Sequence, residues 1–260
     1  MPYDPTIYLG AAGHYRSGRP AYSPGLESVV THEADLDGKG RLLDVGCGPG
    51  VLTVRLAHLF EQVVGLDPDA DMLTEGRRAA GEDNVTNIRW VRGLAEDLPA
   101  VAPGPYRMVT FGQSFQWTDE RSVAETIYDM LEPGGALALV VHTVAGRTRP
   151  PDPGLPTIPH EEITALVGKY LGSLRRAGQG TVPQRNHRFE DVLVRTRFGV
   201  PLPRRRFLGL ARRHRGGVGP QAGLTTRSFP RLKRLAEFHH RRRAHDHRCH
   251  AGTTRGRALK

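Results

Sequence analysis

The chain has 260 residues, enough for one ordinary domain or one domain with an appendage, because single cores stop growing near ~250 to 300 residues. Its 38 % hydrophobic content supports a core, yet no apolar run approaches the ~20 residues of a membrane span. Residues 1–20 lack the basic-then-apolar order of a secretory signal, which makes a soluble, cytoplasmic protein the expectation, and two cysteines, Cys47 and Cys249, exclude a disulfide framework and a four-cysteine zinc site. The net charge of +10 is uneven: residues 1–200 hold 20 Lys and Arg against 25 Asp and Glu, whereas residues 201–260 hold 17 against 2, so the main domain is acidic and only the tail is basic.

Ahead of the main pattern, Leu26, Val29 and Val30 fit a short amphipathic helix. From 41 to 145 short apolar runs alternate with helix-period segments, the pattern of βαβ units around a parallel sheet. Strands are predicted at 41–46, 62–67, 88–93, 108–112 and 136–142. The segments VLTVRLAHLF, DADMLTEGRRAA and DERSVAETIYDML supply crossover helices, and Val123, Ile127 and Leu131 should face the sheet. The five-proline stretch 146–159 predicts a loop or cover strand. After it, Ile163, Leu166, Val167, Tyr170 and Leu171 form the strongest helical stripe in the chain, expected in the core. Residues 189–199 read as a helix stopped by Gly199, and 200–208 as the start of a sixth strand weakened by Pro201 and Pro203.

LLDVGCGPG (42–50) is a strand, a glycine turn and a helix start. Gly46, Gly48 and Gly50 let backbone approach a ligand at the helix N-terminus. Asp67 ends the next strand 21 residues after Gly46, where an acidic side chain bonds ribose hydroxyls of an adenosine. A dinucleotide and S-adenosylmethionine compete for such a loop. The Gly-x-Gly-x-Gly spacing, together with Asp44 just ahead of it, favours the second, because a carboxylate repels a pyrophosphate and attracts an ammonium group.

With these motifs the chain resembles a class I S-adenosylmethionine-dependent methyltransferase of the type 11 kind. LLDVGCGPG is similar to the family's first motif, VVGLDPDADML to its acidic second strand, GLAEDLP (93–99) to its adenine loop and LEPGG (131–135) to the turn before the fifth strand. HYRSGRPAYSP (14–24) and FGQSFQW (111–117) resemble motifs of one branch, and the likeness covers roughly 10–200. It implies a Rossmann-like α/β fold with helices on both faces of the sheet, S-adenosylmethionine as cofactor and in-line methyl transfer. It further implies that Asp44, Gly46 and Gly48 border the methionine end, Asp67 the ribose, and Pro68, Ala95 and Glu96 the adenine. Gln113 would stand where acceptor meets methyl, and Tyr15 and Arg19 would roof the cofactor.

Three positions depart from the family pattern: Leu94 and Arg107 replace acids, and Gln116 replaces a histidine before Trp117. A glutamine cannot serve as a base. His14, His142 and Gln116 are the positions considered for one, and no catalytic residue is assigned. A small-molecule acceptor is expected, because FGQSFQW stands where a nucleic-acid methylase would carry Asn-Pro-Pro-Tyr or Asp-Pro-Pro-Tyr. The competing readings are an RNA or other nucleic-acid methyltransferase or binder that uses the basic tail, and an inactive, cofactor-binding homologue. The domain is expected to span 1–208, with its last sheet strands missing. Residues 209–260 hold 12 Arg and 6 His without apolar periodicity. Disorder follows from that composition, and out-of-frame translation of a GC-rich gene accounts for it better than a basic extension or a zinc site at His239, His240, His245, His247, Cys249 and His250.

Overall fold

The computed structural model describes residues 4, 6–141, 159–172, 176–177, 180–181, 188–199 and 208–212. Helices α1 (Ala12–Gly18) and α2 (Leu26–Glu33) precede the first strand, β1 (Arg41–Val45). Then come α3 (Val51–Leu56), β2 (Gln62–Asp67), α4 (Ala70–Glu82), β3 (Ile88–Arg92), β4 (Tyr106–Gly112), α5 (Glu120–Met130) and β5 (Leu131–Val140). Beyond these lie α6 (His160–Leu171), a two-residue pair β6 (Arg176–Ala177) and β7 (Gly180–Thr181), α7 (Phe189–Leu193) and β8 (Leu208–Arg212).

The main sheet has the order β3-β2-β1-β4-β5-β8. Its first five strands pair in parallel and β8 lies antiparallel to β5. Strands that are buried on both faces must be apolar at odd and even positions alike, and β1 shows it. Leu43 and Val45 join the core beneath α5, with Val123 and Ile127, while Leu42 joins the opposite core with Leu26 and Val30 of α2 and Leu52 and Leu56 of α3. The order reverses between β1 and β4, both of which are adjacent to no sequential neighbour there, so a crevice opens beyond their carboxyl ends.

The five predicted strands are present with shifted ends. The fifth starts at Leu131 because the LEPGG turn pairs at its first residue: Leu131 opposes Tyr106, Ala136 opposes Met108, and the residues between bulge opposite Arg107. Val123, Ile127 and Leu131 are buried as expected.

The stripe on α6 requires correction. Ile163, Leu166, Val167 and Tyr170 are between 47 % and 72 % exposed. Periodicity fixes which residues share a helix face and leaves open whether another element covers that face. The sheet also needs correction at its C-terminal edge. A strand from the last quarter of the chain does join it, starting where the predicted sixth strand would have ended, so an appendage boundary at 208/209 cuts through β8. A strand of LGLAR offers few side chains to a pattern reading, whereas its backbone pairs with five residues of β5 from Ala136 to Val140. Residues 213–260, His142 and the proline stretch to residue 158 lie outside the described residues.

Candidate functional site

The turn after β1 takes its shape from glycines with positive φ, 64° at Gly46, 53° at Gly48 and 75° at Gly50, which L side chains rarely adopt. A Cβ on Gly46 would fall 2.5 Å from the Ser114 side chain, and one on Gly50 would fall 2.5 Å from Trp90. A Cβ on Gly48 would meet nothing within 4 Å. The first and last glycines are therefore demanded by the protein's own packing, and the middle one leaves room for something else.

The turn is stitched to β2. The Cys47 amide donates to the Leu66 carbonyl at 3.0 Å, and the Gly48 amide donates to Asp67 Oδ2 at 2.8 Å. Asp67 Oδ1 accepts from the Asp69 amide at 2.9 Å, and Asp69 caps α4 by accepting from the amides of Asp71 and Met72. Each oxygen of Asp67 thus holds one backbone N–H and retains a lone pair for a ligand. Burial pushes its carboxyl up to about 6, against the pull of those two amides.

These elements enclose a cavity of about 450 Å³ at the carboxyl ends of β1, β2 and β4. Gly46, Gly48, Asp67 and Pro68 line one side, and Gly93, Leu94, Ala95 and Glu96 continue it. Gln113, Ser114, Trp117 and Thr118 come from the segment after β4, and Asp4, Ile7, Tyr8 and Tyr15 come from the N-terminal segment. Eight of the ten residues expected at the cofactor therefore line one cavity. Glu96 also accepts from the Asp119 amide at 2.8 Å and so ties its loop to the start of α5.

Asp44 and Arg19 are not among the lining residues. Asp44 is buried and accepts from Thr53 Oγ1 at 2.6 Å and Thr110 Oγ1 at 2.8 Å, which ties β1 to α3 and β4 beneath the glycine turn. Desolvation holds its carboxyl at about 6 although both hydroxyls stabilise the anion. A sequence rule that places a carboxylate two residues before the glycines cannot tell which way the strand's pleat aims it. Arg19 lies over the Tyr15 ring at 4.7 Å and shields it from outside. Of the positions considered for a base, His14 is exposed on α1 and does not line the cavity, and Gln116 donates to the Gln113 carbonyl.

Tyr8 was not legible in the sequence. Its ring meets Tyr15 at 5.9 Å and Trp117 at 6.1 Å, both edge-to-face, so the N-terminal segment and the segment after β4 share one aromatic wall. The only hint was an aromatic residue seven positions before Tyr15.

Residues 42–135 match the methyltransferase domain family. Over 110 residues the chain is 31 % identical to tRNA 5-carboxymethoxyuridine methyltransferase of Escherichia coli, covering 42 % of each protein. It is 34 % identical over 111 residues to ubiquinone biosynthesis O-methyltransferase of Acinetobacter baumannii, covering 42 % of this chain and 46 % of that one. The chain spans less than half the length of these curated relatives. Among solved structures, the YcgJ protein of a Bacillus is 25 % identical with a TM-score of 0.40, over 44 % of this chain and 49 % of that one.

Proposed function

We propose, from the match of residues 42–135 to the methyltransferase domain family, that the chain transfers a methyl group from S-adenosylmethionine to a small-molecule acceptor. The observation that carries this reading is Asp67, which ends β2 beside the Gly48 amide and faces a cavity that the glycine turn leaves open. The residues present suit this cofactor. Asp67 would take the ribose hydroxyls, Gly46 and Gly48 would border the amino-acid end, and Pro68, Ala95 and Glu96 would enclose the adenine. Tyr15 would close the site from the N-terminal side, with Arg19 behind it.

When bound, the cofactor supplies an electrophilic methyl on a sulfonium whose leaving group is already activated. The chain's own contribution is placement, since holding a nucleophile at ~3 Å in line with the methyl accounts for much of the rate. The rings of Tyr8, Tyr15 and Trp117 form one wall of the cavity. Asp44 acts one layer below, fixing the strand ends and α3 through Thr53 and Thr110 rather than touching ligand. No metal is required for such a displacement, so turnover is expected to persist in EDTA.

The test is calorimetric titration of the full chain with S-adenosylhomocysteine and with NAD, followed by incubation with methyl-labelled cofactor and separate pools of small metabolites and bulk tRNA. Binding of S-adenosylhomocysteine alone and label in the small-molecule pool are expected. Tight NAD binding would reject the cofactor reading. The likeness to a tRNA methyltransferase favours a second reading in which RNA is the acceptor and the basic residues of 201–260 contact phosphates. Label in the tRNA pool, with binding that weakens steeply in salt, would establish that reading instead.

A further inference from the structure

The segment after β4 carries a strained residue whose side-chain amide nitrogen has no partner among the described residues. Gln113 has a φ of 62°, in the left-handed region that non-glycine residues seldom occupy. Its backbone is pinned there from both sides. The Gln113 amide donates to the Val140 carbonyl at 3.0 Å, and its own carbonyl accepts from Gln116 Nε2. The side chain of this pinned residue lines the cavity, and its Nε2 is buried with no hydrogen-bond partner among the described residues. A buried donor left unpaired is unfavourable, and backbone strain adds to it, so a ligand atom that accepts would relieve the arrangement.

The neighbouring donors are already committed. Ser114 Oγ donates to the Val45 carbonyl, and Thr118 Oγ1 donates to the Phe115 carbonyl at 2.9 Å. Among the described side chains of this segment, Gln113 Nε2 is the buried donor left without a partner. Facing the same space are the rings of Tyr8, Tyr15 and Trp117, an apolar surface suited to a flat partner. Asp4 stands among the same lining, its carboxylate held by the amide and hydroxyl of Thr6, and it repels an anion.

We propose that the methyl acceptor is a flat, apolar molecule bearing an aromatic or enolic hydroxyl, whose oxygen accepts a hydrogen bond from Gln113 Nε2 while its ring lies against the Tyr8–Tyr15–Trp117 wall. Lone-pair arithmetic selects oxygen. A neutral amine has one lone pair, which must attack, and a protonated amine has none, so neither can accept from Gln113 and react in the same pose. A hydroxyl oxygen has a pair for each task. That oxygen forms the new bond to the methyl carbon as the carbon–sulfur bond breaks, the bonding pair stays on sulfur, and the hydroxyl proton leaves to water. Gln113 is a specificity-determining residue in this scheme, because its donated bond also steadies the negative charge on oxygen as the proton departs.

The inference rests on the methyltransferase reading, and one experiment separates the two. The full chain saturated with S-adenosylhomocysteine is titrated calorimetrically with 2-naphthol, 2-naphthylamine, 2-naphthoate and naphthalene, and the series is repeated on Gln113→Leu and Gln113→Asn. Failure of S-adenosylhomocysteine to bind the wild type would reject the parent reading. With S-adenosylhomocysteine bound, wild type should prefer 2-naphthol over naphthalene and 2-naphthoate by ~10-fold or more, and with methyl-labelled S-adenosylmethionine in its place label should pass to 2-naphthol and not to 2-naphthylamine. Gln113→Leu should lose that preference, with circular dichroism showing that the variant is folded, and Gln113→Asn should retain part of it. Equal affinity for all four probes, a preference for the carboxylate, label on the amine, or a 2-naphthol preference that survives in Gln113→Leu would overturn the proposal.

Discussion

Asp67 and Asp44 are both buried carboxyls near the glycine turn, and their partners separate their roles. Asp67 holds two backbone amides and faces the cavity. Asp67→Ala should therefore weaken S-adenosylhomocysteine binding by ~1 to 3 kcal/mol, read by calorimetry, and an unchanged affinity would remove it from the site. Burial holds both carboxyls at about 6, above the ordinary carboxylate value, so between about pH 4 and 6 the folded chain keeps protons that the unfolded chain has released. The stability these groups contribute is full below about pH 4 and is lost as pH rises through about 6. Asp44→Asn keeps a partner for each threonine and removes one proton-linked group. The fall in unfolding free energy between pH 4 and pH 7 should shrink by up to ~3 kcal/mol in that variant. Urea denaturation at both pH values checks it, and an identical fall in wild type and variant would show that Asp44 does not titrate there.

At the scale of elements, the glycine turn holds positions closed by packing and one that opens onto the cavity. Gly50→Ala adds a side chain at φ 75° and drives it into Trp90, so it should destabilise the fold by ~2 kcal/mol or more. Gly48→Ala meets no protein atom; its fold should lose only ~1 kcal/mol from the left-handed backbone, while S-adenosylhomocysteine affinity should fall more than proportionately because the new methyl sits on the cavity wall. Melting and calorimetry on the pair give the contrast, and equal loss of stability in both would contradict it. A different join holds the segment after α7. Arg197 reaches Glu125 through Nε at 2.6 Å and Asp129 through Nη1 at 2.6 Å, and it covers the Tyr128 ring at 4.7 Å. The guanidinium is about half exposed, so solvent screens the pairs and Arg197→Ala should cost about 1 kcal/mol, less in high salt. Denaturation midpoints at two ionic strengths test that assignment.

For the molecule as a whole, the informative boundary is the outer edge of β5. Its residues from Ala136 to Val140 are buried and pair along their length with β8. A chain ended after Arg212 keeps all six strands of the sheet, whereas one ended after Arg206 leaves the β5 edge unpaired, a template for intermolecular strand addition. The shorter chain should aggregate and the longer one should not, as light scattering at matched concentration would show; equal behaviour would mean that β8 is dispensable. No described helix is long and apolar enough to cross a membrane.

What the sequence determined by itself was whatever repeats locally. Apolar runs bounded by glycine and proline gave five parallel strands, Gly46, Gly48 and Asp67 marked residues that line one cavity, and the resemblance to methyltransferases ran over roughly 10–200, of which the family match covers 42–135. Everything that depended on where a side chain points was decided by the tertiary structure. The pleat of β1 sends Asp44 to two threonines below the cavity, α6 leaves its apolar stripe exposed, and Tyr8 enters the site because the N-terminal segment folds back across the strand ends. Long-range pairing likewise placed β8 on β5, since backbone hydrogen bonds leave no trace in residue type. Spacing along the chain carries the geometry of a turn or a helix face, and only the packed fold sets which of those faces meet.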